Sequence, residues 1–268
     1  DSHVAATETA SDFTVTLTGL NENTTYYARA YATAKSGVSY YGNHVLFTTP
    51  YIVVLPASSK VVVTDITVSG ATVSSRVTSD GHGTVTDAGF VYSTSSSPTI
   101  DDSKISCGVQ AGDYTSQLTG LADGTTYYVR SYVSNEIGTA YGEEVAFTTV
   151  AIKLPDLTSV TVANVTYNSA SFSAQVASLN NGILSDAGFV YSTSPGPDVN
   201  SNKLSCGKTT ALEAPSVPLR ASTTYYVRAY AVNEKGTAYG EEISFTTEES
   251  PGQSDVDADD FTPEVDWD

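Results

Sequence analysis

Apolar and polar residues alternate along short stretches of the chain, as in ATVSSRV (Ala71–Val77), AGFVYSTS (Ala88–Ser95) and TTYYVRSYV (Thr125–Val133). Successive side chains of an extended strand point to opposite faces, so a period of two predicts half-buried β-strands. Clusters of Gly, Asn, Asp and Ser separate these runs, at Ser79–Gly83, Ala122–Gly124 and Asn135–Gly138, and predict turns. Pro56, closing VVLP (Val53–Pro56), suits the start or edge of a strand. No window carries apolar residues at sustained helical spacing. No apolar run approaches the roughly 18 residues of a membrane-spanning helix. The pattern predicts an all-β chain.

The strands recur in a fixed order. DAGFVYSTS stands at Asp87–Ser95 and again at Asp186–Ser194, and SCG at Ser106–Gly108 and Ser205–Gly207. The second copy of each follows the first by 99 residues. TTYYVR (Thr125–Arg130, Thr223–Arg228), GTAYGEE (Gly138–Glu144, Gly236–Glu242) and FTT (Phe147–Thr149, Phe245–Thr247) complete both copies. Residues 1–49 match only the later half of this unit, through TTYYARAYA (Thr24–Ala32), SGVSYYG (Ser36–Gly42) and FTT (Phe47–Thr49). A period near one hundred residues is too long for a solenoid and suits one β-sandwich. The expected organisation is an incomplete domain at 1–49, full domains at 50–149 and 150–247, and an acidic tail at 248–268.

The run LTGLADGTTYYVRSYVSNEIG (Leu118–Gly138) resembles the fibronectin type III signature: a Leu, a short turn, a Tyr six residues on, then an alternating strand. The resemblance covers about 90% of the chain. It implies tandem immunoglobulin-like (fibronectin type III-like) β-sandwiches in a linear rod. It also implies a "tyrosine corner" at Leu121 and Tyr127, with Leu20 and Tyr26, and Leu219 and Tyr225, at the same spacing. The combined motif is more similar to repeats of large surface proteins of Gram-negative bacteria than to animal modules. Unlike the animal modules, these repeats lack a Trp, and Tyr and Phe are expected to fill that core volume.

Composition agrees, with 18 Tyr, one Trp and abundant Thr, Ser and Val, residues that fit pleated, half-buried surfaces. With no Met, and Asp1 first, the chain is expected to be a processed or excised piece of something longer. A formal net charge of −18 disfavours nucleic acid and anionic lipid as partners. His3, His44 and His82 do not recur at equivalent positions, and His82 is expected to be a solvated loop residue. No nucleophile elbow, zinc-protease helix, P-loop or dinucleotide motif occurs, so enzymatic activity and a resident cofactor are not expected.

Cys107 and Cys206 are one feature seen twice. Equivalent points of successive sandwiches lie on the order of 30 Å apart, whereas a disulfide needs Cα atoms within about 7 Å. Buried free thiols behaving as small apolar groups and an intermolecular disulfide both remain open, and no zinc spacing exists. On the TTYYVRSY strand, Tyr127, Val129 and Ser131 are expected inward. Tyr128, Arg130 and Tyr132 then face outward, as do Tyr226, Arg228 and Tyr230, and Tyr27, Arg29 and Tyr31. Such a ladder either stabilises the sheet face or offers a platform for glycans or partner chains.

The tail holds nine of the 30 acidic residues. Asp255, Asp257 and Asp259 form a weak Ca²⁺ candidate, for the Gly and Glu that a calcium loop needs are replaced by Asp260 and Asp266. Phe261, Pro263, Val265 and Trp267 alternate with Thr262, Glu264, Asp266 and Asp268 as an amphipathic strand. Half a sandwich leaves an unpaired edge. The tail strand, with Phe261, Val265 and Trp267 inward, is one candidate to add to it, its own or that of another copy. The short apolar linkers Pro50–Pro56 and Val150–Pro155 suggest a semi-rigid rod. The leading expectation is a non-enzymatic extracellular or cell-surface stalk. A filament subunit and a glycan- or protein-binding module are the alternatives.

Overall fold

The computed structural model describes residues 2–6 and 12–252, and the chain there contains β-strands and no helix. It forms two compact units: Asp1–Asp65 with Ala71–Leu118 and Thr126–Phe147, and Ile66–Gly70 with Thr119–Thr125 and Thr148–Asp268.

In residues 1–49, β1 (Thr25–Thr33) and β2 (Ser39–Thr48) form an antiparallel ribbon with Tyr26 opposite Phe47. The next repeat adds β3 (Ala57–Ser58), β4 (Val62–Thr64), β5 (Gly70–Ser79), β6 (Asp87–Ser93), β7 (Ser103–Gly108), β8 (Asp113–Thr119), β9 (Thr126–Asn135), β10 (Gly138–Tyr141) and β11 (Val145–Thr148). The third repeats that order as β12 (Asp156–Leu157), β13 (Thr161–Ala163), β14 (Ser169–Ser178), β15 (Asp186–Ser192), β16 (Asn202–Gly207), β17 (Ala211–Pro218), β18 (Thr224–Asn233), β19 (Gly236–Tyr239) and β20 (Ile243–Thr246).

Each complete repeat is two antiparallel sheets. In the third, β14 pairs with β17 on one side and with the broken edge β12 and β13 on the other. The larger sheet runs β16, β15, β18, and β18 also carries β19 and β20. Phe172, Phe189, Leu212, Val217, Val227 and Ala229 close the core between the sheets, one inward residue in two along each strand. The second repeat packs Val73, Phe90, Tyr114, Leu118 and Val129 in the same way. It differs by a polar inlay: Ser131 Oγ donates to the Ser59 carbonyl at 3.0 Å, as does Ser75 Oγ at 2.9 Å. Ala229 and Ala174 stand at the matching places of the third repeat.

The corner ahead of the long strand is built alike in all three copies. The second Thr of each FTT turns inward. Thr49, Thr149 and Thr247 donate from Oγ1 to the carbonyls of Asn21, Ala122 and Arg220, each at 2.6 Å. The same hydroxyls accept the backbone N–H groups of Thr24, Thr125 and Thr223. Tyr26 and Tyr225 hydroxyls accept the N–H groups of Asn21 and Arg220 at 2.8 and 3.0 Å. That is the expected tyrosine corner. All three rings stack on the Phe of the following FTT: Tyr26 on Phe47 at 5.8 Å, Tyr127 on Phe147 at 6.0 Å and Tyr225 on Phe245 at 6.0 Å.

The linkers are tied to these corners. In the first unit, Ile52 N–H donates to Glu22 Oε2 at 2.8 Å, and the Tyr51 ring stacks on His82 at 4.1 Å. His82 is exposed, yet one face of its ring is covered. In the second unit, Ile152 N–H donates to Asp123 Oδ2 at 3.0 Å, and Lys235 Nζ meets Asp123 Oδ1 at 2.9 Å. The third corner carries Ala221 at the matching position.

Candidate functional site

The aromatic and charged residues singled out in the sequence converge on the outward face of the larger sheet. In the second repeat β6 supplies Asp87, Gly89 and Val91 to that face. β9 supplies Arg130 and Tyr132, and β7 supplies Lys104 and Ser106. The register aligns Ser106, Gly89, Tyr132 and Tyr141 in one row across four strands.

A β-bulge between Ala88 and Gly89 draws the backbone inward at the glycine. A Cβ there would stand 2.0 Å from the Ile105 carbonyl oxygen and 2.9 Å from Tyr132 Cε1. The missing side chain makes room for the Tyr132 ring, which spreads over it. Its hydroxyl donates to Asp87 Oδ2 at 2.8 Å. Lys104 Nζ sits 3.0 Å from the same oxygen and 4.7 Å above the ring. The Ser106 hydroxyl donates to Asp87 Oδ1. Beside this cluster the Arg130 guanidinium lies 4.7 Å above Tyr141, and Arg130 Nε donates to the Gly142 carbonyl at 3.0 Å.

The third repeat rebuilds the cluster. Tyr230 donates to Asp186 at 2.8 Å, and Lys203 sits 2.8 Å from that carboxylate and 4.9 Å above the ring. Ser205 donates to Asp186, and Gly188 leaves the space beneath. Arg228 lies 4.8 Å above Tyr239. In the first ribbon only the arginine part is present, with Arg29 4.1 Å above Tyr41.

The electrostatics follow from this geometry. Burial works to raise the Asp87 pKa, but hydrogen bonds from Ser106, Lys104 and Tyr132 outweigh it and hold the carboxyl below its ordinary value. Asp186 behaves alike, with Lys203, Ser205 and Tyr230 as partners. Burial, then the hydrogen bond to the Asp87 anion, pushes the Tyr132 phenol up to about 12. Lys104 is raised by its bond to Asp87 against the opposing pull of burial.

This corrects one expectation. Tyr132 and Tyr230 do lie on the outward face, but both are 0% exposed, with a lysine ammonium above the ring and the hydroxyl bound to the aspartate. Alternation assigns a side chain to a face, not to solvent. Tyr128, Arg130, Tyr226 and Arg228 are half-buried, and Tyr27 is exposed. Asp87, Lys104, Ser106, Gly89 and Tyr141, which complete the cluster, were missed by sequence reasoning. Their signal was present, for DAG, K-x-SCG and GTAY recur in step with the Tyr–Arg–Tyr strand.

Cys107 and Cys206 are free and, where full burial was expected, only half-buried near the ends of β7 and β16. Burial and the Asp87 charge push the Cys107 thiol up, and Cys206 Sγ lies 3.6 Å from the Glu213 carbonyl oxygen. Asp255, Asp257, Asp259, Phe261, Val265 and Trp267 lie outside the described residues. Among the described residues no group of three or more His, Cys, Asp or Glu is placed to hold a metal ion, and no helix is long and apolar enough to cross a membrane.

No protein-family model matches the chain, and no curated protein does. Among solved structures, one titled a myokine structure covers 36% of this chain and 99% of its own, at 20% identity and a TM-score of 0.30. The FN1–FN3 domains of chicken CNTN1 cover 83% of this chain and 78% of their own, at 13% identity and a TM-score of 0.31. The sandwich assignment rests on the strand order and register of the chain itself.

Proposed function

We propose that the chain is a non-enzymatic structural spacer of an extracellular or cell-surface protein. One observation carries the reading. In both complete repeats Tyr132 or Tyr230 and the arginine beside it, two of the three ladder residues that could offer a ligand platform, are closed on their neighbours: ring under lysine, carboxylate filled by three donors, arginine over tyrosine. Charge-assisted bonds of this kind, spread over three strands, hold a sheet face together rather than leaving it open. Linkers tied by backbone hydrogen bonds to Glu22 and Asp123 fit the same role.

Force spectroscopy on the purified chain, held by its two ends, tests this. The expected record shows two sharp unfolding events, each releasing on the order of 300 Å for about 100 residues at ~3.4 Å per residue. Continuous yielding at low force without discrete events overturns the reading. A glycan array decides against the binding-module alternative if no saturable signal depends on Tyr128 or Tyr226, the half-exposed members of the ladder.

A further inference from the structure

Among the described residues, the long strand has a partner on each side in two repeats and on one side in the first. β9 pairs with β6 along one edge and with β10 and β11 along the other, and β18 is placed likewise. Their equivalent β1 pairs, among the described residues, with β2 alone. The ribbon is correspondingly uncovered. Tyr27 is 75% exposed and Val45 65%, whereas their counterparts, Tyr128 and Tyr226, and Val145 and Ile243, are half-buried.

The complete repeats specify what fits the free edge. Gly89 stands opposite Tyr132, and Gly188 opposite Tyr230. In both, a Cβ would strike the neighbouring backbone, so glycine is required beneath the ring. Two residues earlier stands the aspartate that receives the tyrosine hydroxyl. Two residues later stands Val91 or Val190, opposite the arginine. In the ribbon Tyr31 and Arg29 keep the tyrosine and arginine, and Arg29 already lies over Tyr41 as its counterparts do. Tyr31 has His3 and Tyr41 as its ring neighbours.

We propose that the free edge of β1 is an acceptor for a strand of the pattern Asp-x-Gly-apolar-apolar-Tyr, added antiparallel with its glycine opposite Tyr31. Both copies of that pattern within these 268 residues, Asp87–Tyr92 and Asp186–Tyr191, are already paired with β9 and β18. The donor is therefore polypeptide from outside them. The tail segment Phe261–Asp268 has no glycine to lie beneath Tyr31, and its Pro263 cannot donate to a ladder.

Amide hydrogen exchange on the full chain tests this, with a synthetic peptide of the Thr86–Gly108 sequence in which Cys107 is replaced by Ser. Exchange at Tyr27–Tyr31 is expected to slow by about tenfold or more with saturating peptide. Exchange at Val129–Val133 serves as the internal control and is expected to stay unchanged. A peptide with the Gly89→Val replacement is expected to give no protection. Four outcomes overturn the proposal: no protection at saturation, protection indifferent to the glycine, protection without peptide that grows with protein concentration as the mass doubles, or protection without peptide that vanishes when Phe261–Asp268 is deleted. The third would assign the edge to a second copy and the fourth to the tail.

Discussion

The ring of Tyr132 covers the bare backbone of Gly89, directly opposite it on the neighbouring strand. An aromatic residue on one strand shields a glycine on the next, and the glycine gives the ring the room to lie down. Neither residue is explained without the other.

Replacing Gly89 by Ala is therefore expected to be severe. The new methyl would meet the Ile105 carbonyl oxygen, which is backbone and cannot swing aside. A loss of about 3 kcal/mol or more from the second repeat is expected. Gly188→Ala, with Leu204 O at 1.9 Å, should do the same to the third repeat alone. Denaturant melts resolved by repeat check both.

The aspartates make stability depend on pH in a definite direction. Asp87 and Asp186 have folded pKa values below the ordinary 3.8. Their contribution is fully present above that value and is lost as pH falls through the folded values. Asp87→Asn is expected to lower stability at neutral pH by about 1–3 kcal/mol and to flatten the acid limb. Denaturant midpoints measured across acidic pH decide it.

The alkaline side runs the other way. A Tyr132 phenol raised to about 12 contributes stability that is complete below the unfolded value of about 10 and disappears as pH climbs through the folded one. Ultraviolet titration of tyrosinate is expected to show late steps: Tyr132→Phe removes its own, and that of Tyr230, raised by burial and the bond to Asp186, is kept.

Much of this was legible in advance, for an identifiable reason. The strands, the repeat and the corner at Tyr26 and Tyr225 are set by local alternation and spacing, which a sequence displays directly. The Asp87 cluster joins residues from three strands. Lys104 and Tyr132 are brought to one carboxylate by register, which alternation alone does not give. Phe13–Leu17 teaches the complementary point. It alternates like β8 and β17, yet it forms no strand, and both named residues are exposed. β8 and β17 pair with β5 and β14, and residues 1–49 hold no copy of those strands. Without its neighbour the same pattern does not become a strand.

The corner threonine is expected to matter more than its exposed neighbours. Thr149 Oγ1 satisfies the Ala122 carbonyl and the Thr125 N–H at once, at 2.6 and 2.9 Å. Thr149→Val keeps the shape and removes both bonds, costing about 1–3 kcal/mol. Thr247→Val should cost the third repeat a similar amount, and the two losses should add. Thermal unfolding of the single and double variants checks this.

One hydroxyl is expected to be dispensable. Tyr114 Oη is buried beside the Ser58, Ser75 and Ser131 hydroxyls, none of which it meets in full hydrogen-bond geometry, and the third repeat carries Leu212 in its place. Tyr114→Phe is expected to leave stability unchanged or raise it by up to about 1 kcal/mol. A clear loss in the denaturant midpoint would contradict this.

The carboxylates at Glu22 and Asp123 bear on how such arrays could be lengthened. Each accepts the N–H of the third linker residue, Ile52 or Ile152, so a repeat joined behind either corner arrives already fastened. A domain grafted behind Thr247 would meet the methyl of Ala221 instead, and would hang from an unfastened joint until that position carried an acid.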